Sequence, residues 1–550
     1  MNFKQILNSN IRIFIIVLIA AFAIYANAIS GKFVFDDNLF IENNEQIKSL
    51  SNIPELYFSS VTEGSHVAKD NFYRPNQQAL FALIYAAFGL NPIPFHIASV
   101  LFHAFNSFLI FLLFMKLGAA RKVSFFSSIV FLIHPINTQA VSYISGMADP
   151  LGMMFVLCAL FCFVKTVSSE MSKQFFLNSC FSILFFIFGI FTKENTIIFP
   201  ALVFITLIFL FKKIPYEKKK IIYSLSGIYF LIAGIYLYFK FTTLNFSGNI
   251  GLTDQKNIYT ENLYIRIVTF LNILPEYFKM IFFPIDLNYE KPYVAYTDFQ
   301  RADGIFALLV ALLFITVTFY KAIKIYKKAK VSSAISGAVT GGLWFFICLA
   351  PVSGIIPVNA IYLEHWLYYP LAGVIFSAAK IYEHQKIFVK NIFLIILIPL
   401  SVAYCIRTVL RNSEWANPEK FYKNELKYSP NSARMHNNLA MIYADEKKCP
   451  VAISHYKKAI ALYDIYPQTH HNLARCYEAL GNYNEAINEY FNALLIYPNF
   501  TYSHKYLYNV FSGENDTLHA KIFENFLMRI QNEEIISKQE IIETMNSFKK

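Results

Sequence analysis

Along the first three quarters of the chain, apolar stretches alternate with short polar breaks at a spacing set by membrane thickness. The stretches cover residues 11–29, 94–115, 123–141, 146–165, 174–191, 196–211, 221–239, 304–326, 334–357, 362–381 and 391–409. A bilayer core needs about 20 apolar residues per helix, so these eleven stretches predict a polytopic helix bundle. A twelfth apolar segment, 263–284, is broken by Asn272, Pro275, Glu276 and Lys279. It is expected to be re-entrant or interfacial, because a full crossing would carry the lysine-rich stretch 321–330 to the wrong side. From residue 415 the long apolar runs stop and a shorter, helix-period pattern begins.

That second pattern repeats. His436-Asn437-Asn438-Leu439-Ala440 returns as His470-His471-Asn472-Leu473-Ala474, an offset of 34. The same offset relates Ala452-Ile453 to Ala486-Ile487, Tyr456 to Tyr490, and Ala459 to Ala493. A 34-residue period with small residues where helices cross and Tyr on the packing face is the tetratricopeptide pattern. Gly481-Asn482-Tyr483 fills the turn of one repeat, whereas its counterpart is Lys447-Lys448-Cys449. A half repeat at 417–428 and a weaker third at 501–512 would cap the stack. The predicted fold is therefore all-α, with a membrane bundle over 1–412 and a tetratricopeptide α-solenoid over 413–550. Such arrays present a curved surface to an extended polypeptide; the plainer reading is support for the bundle.

Charge gives the orientation. Lys212-Lys213, Lys218-Lys219-Lys220 and Lys321, Lys324, Lys327, Lys328 and Lys330 lie in short loops. Such runs hold a loop on the cytoplasmic side. With the N-terminus inside, loops 116–122, 212–220, 321–330 and 383–390 are cytoplasmic, while 30–76, 136–145, 192–195, 241–303 and 358–361 lie outside. An odd span count then leaves the repeats outside too. Loop 30–76 is acidic: Asp36, Asp37, Glu42, Glu45, Glu55, Glu63 and Asp70 against Lys32, Lys48, Lys69 and Arg74.

Composition agrees, with 56% hydrophobic, 17% aromatic and 15% charged residues, where soluble domains carry about 25% charged. The net charge of +12 comes from loop lysines rather than a basic face, which argues against nucleic acid as a partner. The 57 Phe and 36 Tyr suit lipid-facing surface and interfacial belts. Of seven cysteines, Cys158, Cys162, Cys180, Cys348 and Cys405 sit in apolar spans, while Cys449 and Cys476 lie in the repeats. No metal-type pair or disulfide framework is expected. Ala26-Asn27-Ala28 resembles a small-x-small cleavage site, yet the many later spans favour an uncleaved first span.

The candidate chemistry collects at outer span ends. Asp36-Asp37 follows Phe33-Val34-Phe35 beyond the first span. Two adjacent carboxylates serve as base and orienter, hold a divalent cation, or simply cap a turn. Tyr73-Arg74-Pro75 closes the same loop, where a guanidinium suits a phosphate. His134-Pro135, Ser145 to Asp149, Lys193-Glu194-Asn195 and Glu364-His365-Trp366 occupy other outer turns. Charges this near lipid are costly and mark function, although Lys193-Glu194 alone also reads as an interfacial ion pair. His96 and His103, seven apart on one helix face, lack a third ligand and read as hydrogen-bonded interhelical histidines.

Together these clusters resemble the transmembrane and tetratricopeptide-repeat O-mannosyltransferases and their bacterial relatives. The resemblance covers nearly the whole chain. It rests on Phe33-Val34-Phe35-Asp36-Asp37-Asn38, Tyr73-Arg74-Pro75 with His96 and His103, and His134-Pro135-Ile136-Asn137-Thr138-Gln139-Ala140-Val141. Gly146-Met147-Ala148-Asp149, Lys193-Glu194, Phe283-Pro284-Ile285-Asp286-Leu287-Asn288-Tyr289 and Glu364-His365-Trp366-Leu367-Tyr368-Tyr369-Pro370 complete it. The resemblance implies a GT-C-type glycosyltransferase of a bacterial inner membrane, taking a sugar, with mannose the candidate, from a polyprenyl phosphate to a protein Ser/Thr hydroxyl. It implies Asp36 or Asp37 as the base, with Arg74, Asp149, Lys193, Glu194, Glu364 and His365 toward the donor. Met147 and His365 depart from it, standing where Arg is common. No nucleotide-type Gly-rich loop is expected for such a donor, no resident cofactor is required, and the only metal candidate is a divalent cation on Asp36 and Asp37. The rival readings are a non-catalytic membrane scaffold and a transporter of lipid-linked precursors.

Overall fold

The computed structural model describes residues 8–65, 72–210, 214–242, 244, 258–291, 294–298, 305, 309, 316, 320, 333–355 and 360–548. The chain divides into two compact units, Met1–Asn417 and Pro418–Lys550. Among the described residues there is helix and no strand.

In the first unit, six helices are long and apolar enough to cross a bilayer: Pro92–Lys116, Ile144–Ser168, Lys173–Ile190, Tyr216–Thr242, Ala334–Val352 and Ile387–Trp415. Two shorter apolar helices, Asn10–Ile24 and Glu194–Leu210, accompany them. The chain is a multi-pass membrane protein. The stretch expected to span at 304–326 lies largely outside the described residues, as does 321–330. The expected span 123–141 is instead a helix at Arg121–Ile133, followed by short turns at Pro135–Asn137 and Thr138–Ser142. Pro135 explains the break, since it cannot continue a helix begun upstream. The 263–284 segment forms one helix, Leu263–Phe282, capped by the Asn262 side chain, which accepts from the Tyr264 and Ile265 amides.

Loop 30–76 is described at residues 30–65 and 72–76. It makes several one-turn helices and ends in a helix not foreseen, Pro75–Phe88, with Pro at the start and Gly89 at the stop in a left-handed conformation (φ 61°). Loops assigned to one side of the membrane meet one another. The Ala120 amide donates to Glu383, joining the expected inner loops 116–122 and 383–390, and the Lys380 ammonium at the end of the preceding span donates to Gly118 O at 2.9 Å. Ser145 donates to Asp37, and Arg74 pairs with Glu194, joining the expected outer ones.

The second unit stacks antiparallel helix pairs, and its period is visible in the backbone. Lys447, Gly481 and Asn515, each 34 apart, all adopt φ of 60–77° at successive turns. The lysine-bearing turn therefore keeps the conformation of its glycine counterpart, at the steric cost that a Cβ meets in this region. Lys447→Gly should raise the stability of this unit by about 1 kcal/mol, measured as a higher thermal midpoint; a lower midpoint would mean that the lysine side chain contributes more than the strain costs. His436, His470 and His504 repeat at the same spacing, each turning Nε2 to a group six residues earlier: Pro430 O, Asp464 Oδ1 and Pro498 O.

Candidate functional site

The acidic pair is divided by its local geometry. Phe35 holds φ 59°, a strained value for a bulky residue, and this reversal sends the two carboxylates into different surroundings. Asp37 is buried. Its Oδ2 accepts from the Val34 amide at 2.9 Å, and its Oδ1 accepts from the Ser145 amide at 2.8 Å and the Ser145 hydroxyl at 2.5 Å. Burial pushes its carboxyl up to about 7, while the Ser145 and Val34 donors pull the other way. Asp37 thus ties the first outer loop to the turn before the Ala148–Ser168 helix. Asp36 is only partly buried. Both oxygens of Asp37 accept from protein donors. Among the described residues, no group of three or more His, Cys, Asp and Glu is arranged to hold a metal ion.

Aromatic rings lie beside the acidic pair. Phe35 packs on Tyr289 (4.9 Å between centroids), Tyr289 meets Trp415 edge-on (6.2 Å), and Trp415 stacks on Tyr143 (5.0 Å). Burial, followed by the neighbouring Asp36 and Asp37 charges, raises the Tyr143 hydroxyl well above its ordinary value.

A second cluster forms where the other outer turns meet. Glu194 accepts from the Tyr73 amide at 3.1 Å and pairs with Arg74 Nε at 3.3 Å and Lys240 Nζ at 3.9 Å. Lys193 Nζ pairs with Asp149 at 2.5 Å, both side chains almost fully buried. Gly152, one turn after Asp149, leaves space for the Tyr369 hydroxyl; a Cβ there would lie 2.5 Å from it. Lys193-Glu194 is therefore part of a buried network rather than an isolated interfacial pair. Gln77 connects the two clusters by donating to Ser145 O at 2.9 Å, one turn beyond Arg74 and next to the Ser145 that holds Asp37.

Glu364 and His365 lie between them. The His365 amide donates to Gln139 Oε1 at 3.0 Å, and its ring lies within electrostatic reach of Lys193 and Arg74. Glu364 is fully buried and pairs with Arg411 Nη2 at 3.3 Å. Arg411, also fully buried, pairs through Nη1 with Glu414 at 2.6 Å and lies over the Trp415 ring at 5.5 Å. Sequence reasoning missed Arg411. The available signal was Arg407 and Arg411, four apart at the end of the last apolar helix, where an ionisable residue beside lipid is a functional candidate. His103 does not line this site as a ligand; its Nδ1 meets the Tyr368 hydroxyl at 2.8 Å and its Nε2 meets Leu132 O at 3.0 Å. His96 is buried against the Gly31 backbone, where a Cβ would lie 3.0 Å from its Nε2, and no hydrogen bond to its ring is found among the described residues.

Known proteins resemble this chain in both units. The tetratricopeptide-repeat family profile matches residues 467–500. A protein O-mannosyl-transferase of Caenorhabditis elegans is 24% identical over 481 residues, covering 84% of this chain and 64% of that protein. The protein O-mannosyl-transferase tmtc2 of Xenopus laevis is 24% identical over 512 residues, covering 80% and 61%, and TMTC4 of Mus musculus is 22% identical over 490, covering 79% and 64%. The chain thus spans less than two thirds of the length of these relatives. Among solved structures, ArnT from Cupriavidus metallidurans bound to undecaprenyl phosphate overlays 88% of this chain and 80% of that chain at 11% identity, with a TM-score of 0.39.

Proposed function

We propose that the chain, a relative of the transmembrane and tetratricopeptide-repeat protein O-mannosyl-transferases, is a GT-C-type membrane glycosyltransferase. It transfers a sugar, with mannose the first candidate, from a polyprenyl phosphate to a Ser/Thr hydroxyl of a polypeptide at the outer face of a bacterial inner membrane. The observation that carries this reading is the convergence of Arg74, Lys193, Glu194, Asp149 and His365, with Glu364 next in sequence and paired with Arg411, in the unit that bears Asp36, in a chain similar over about four fifths of its length to proteins so named.

In this reading Asp36 takes the proton from the acceptor hydroxyl as that oxygen attacks the anomeric carbon. The bond to the phosphate oxygen breaks, and the departing phosphate is stabilised by the cations of the second cluster. One base suffices for a displacement with inversion. Arg74 and Lys193 are held by Glu194 and Asp149, so they are positioned before the phosphate arrives rather than ordered by it. Asp37 positions the loop and takes no proton from the acceptor hydroxyl.

The transporter reading is disfavoured by where the charges lie. Asp149 is in the first turn of its helix, Lys193 and Glu194 lie between helices, and Lys240 and Arg411 are near helix ends, whereas a translocation path places ionisable groups in mid-span. The N-terminus is then cytoplasmic, and the repeats lie outside, where they would capture the acceptor.

The test is a transfer assay on the purified chain with polyprenyl-phosphate mannose and two acceptors, a folded protein and a short Ser/Thr peptide. Removing residues 418–550 leaves the first unit whole. It should depress transfer to the protein acceptor about tenfold or more while sparing the peptide, because only remote binding energy is lost. No transfer by the full chain to either acceptor, with donor binding also absent, favours the scaffold. Loss of donor binding on truncation alone makes the repeats a folding support.

A further inference from the structure

The repeat unit contains a cysteine pair that the sequence spacing does not join. Cys449 opens the Cys449–Leu462 helix of the first repeat, and Cys476 lies in the Pro467–Ala479 helix of the second. They are 27 positions apart (476 − 449), yet their thiols are within hydrogen-bonding reach of each other. Both are buried, at 7% and 2% exposure, and both lie near the buried Tyr456. The other five cysteines belong to the membrane unit. Two sulfurs facing each other across the packing seam of consecutive repeats, in a chain whose repeats are read as extracytoplasmic, sit where disulfides persist.

We propose that Cys449 and Cys476 close as a disulfide that staples the first repeat to the second. This rests on the outward placement of the repeats proposed above. Closure is a thiol–disulfide exchange with a disulfide-bearing oxidoreductase. The Cys449 thiolate, more exposed and at a helix start, attacks the partner's S–S bond, and one partner sulfur leaves as thiolate. The Cys476 thiolate then attacks the Cys449 sulfur of the mixed disulfide and releases the second partner sulfur. Two protons leave the repeats, two electrons pass to the partner, and its disulfide becomes a dithiol. Burial pushes the Cys476 thiol up to about 12, which suits it to the second, intramolecular step, where proximity compensates for a scarce thiolate. The staple fixes the angle between the two repeats, and so the curvature of the surface offered to a polypeptide.

The experiment uses the full chain purified without reductant, its free thiols blocked with N-ethylmaleimide in denaturant and its peptides mapped by mass. A peptide joining Cys449 to Cys476, with the other five cysteines alkylated, is the expected result. Reduction should then lower the thermal midpoint of the repeats by roughly 10 °C, and this shift should vanish in the double variant Cys449→Ser/Cys476→Ser. If both cysteines are alkylated, the folded chain is exposed to oxidised glutathione. Linkage of this pair alone upholds the pairing and overturns the outward placement. No linkage, or linkage through other cysteines, overturns the pairing.

Discussion

Asp36→Asn should cut sugar transfer about 100-fold or more, the usual worth of a general base, at an unchanged level of folded protein. Asp37→Asn should do the reverse, lowering the yield and thermal midpoint of folded protein first and transfer only in proportion. The asymmetry follows from the three donors on Asp37 (the Val34 amide, the Ser145 amide and the Ser145 hydroxyl). An asparagine side chain offers one acceptor where two oxygens now serve, and a buried donor left unsatisfied costs about 1–3 kcal/mol. A pH profile separates the roles further. Burial raises the Asp37 carboxyl from 3.8 to about 7, so the folded chain holds this proton more tightly than the unfolded one. Its contribution is fully present below the ordinary value and is lost as pH rises through about 7. Asp37→Asn should therefore flatten the fall in thermal midpoint across that window, whereas Asp36→Asn should leave it. Initial rates and melting curves on the same preparations decide the matter; a dead Asp37→Asn with normal stability and a fully active Asp36→Asn would exchange the assignments.

What the chain disclosed in advance depended on whether the signal was local. The repeats were legible because their period is written in adjacent residues, as in His436-Asn437 and His470-His471, and because each 34-residue unit stacks on its neighbour. Six of the eleven expected apolar stretches were legible as helices long and apolar enough to cross a bilayer, since about 20 apolar residues admit few other fates. The Pro75–Phe88 helix is not among the expected elements although its start and stop are present, Pro75 at the first position and Gly89 after the last; most of it lies in 77–93, between the acidic loop and the next expected span, where no element is assigned. The division of labour between Asp36 and Asp37 was not legible at all. It depends on Ser145, 108 residues away, and on the left-handed turn at Phe35, a conformation the residue type opposes. The same holds for Arg74 and Glu194, whose pairing joins loops 120 residues apart. Sequence reasoning gathered these residues on one side of a membrane; only packing determined which ones touch.

Arg411→Met should be the most damaging single change to the stability of the membrane unit. The guanidinium and Glu364 are both fully buried, paired through Oε1 at 3.3 Å, and Glu364 Oε2 has no hydrogen-bond partner among the described residues. Removing the cation leaves a carboxylate buried without compensation, a defect that costs about 3–5 kcal/mol when one member of a buried pair is deleted. Glu414 suffers less, because it keeps Arg407 at 3.0 Å. The second substitution is therefore made at Glu364. Glu364→Gln in the Arg411→Met background discharges the stranded carboxylate and should recover a large part of the lost thermal midpoint, and the double-mutant cycle measures the coupling directly. A stabilising role alone would leave the rate per folded molecule untouched. Here the neighbour of Glu364 is His365, which lies within reach of Lys193 and Arg74, and the ring under Arg411 is Trp415, which stacks on Tyr143 beside the acidic pair. Arg411 thus holds together the wall shared by both clusters. The recovered double variant should remain slow, with a reduced kcat and a nearly unchanged KM for the acceptor, because orientation of the reacting groups is lost rather than docking. A double variant that regains both stability and full rate would confine Arg411 to folding and leave the two clusters to be aligned by the Ser145–Gln77 link alone.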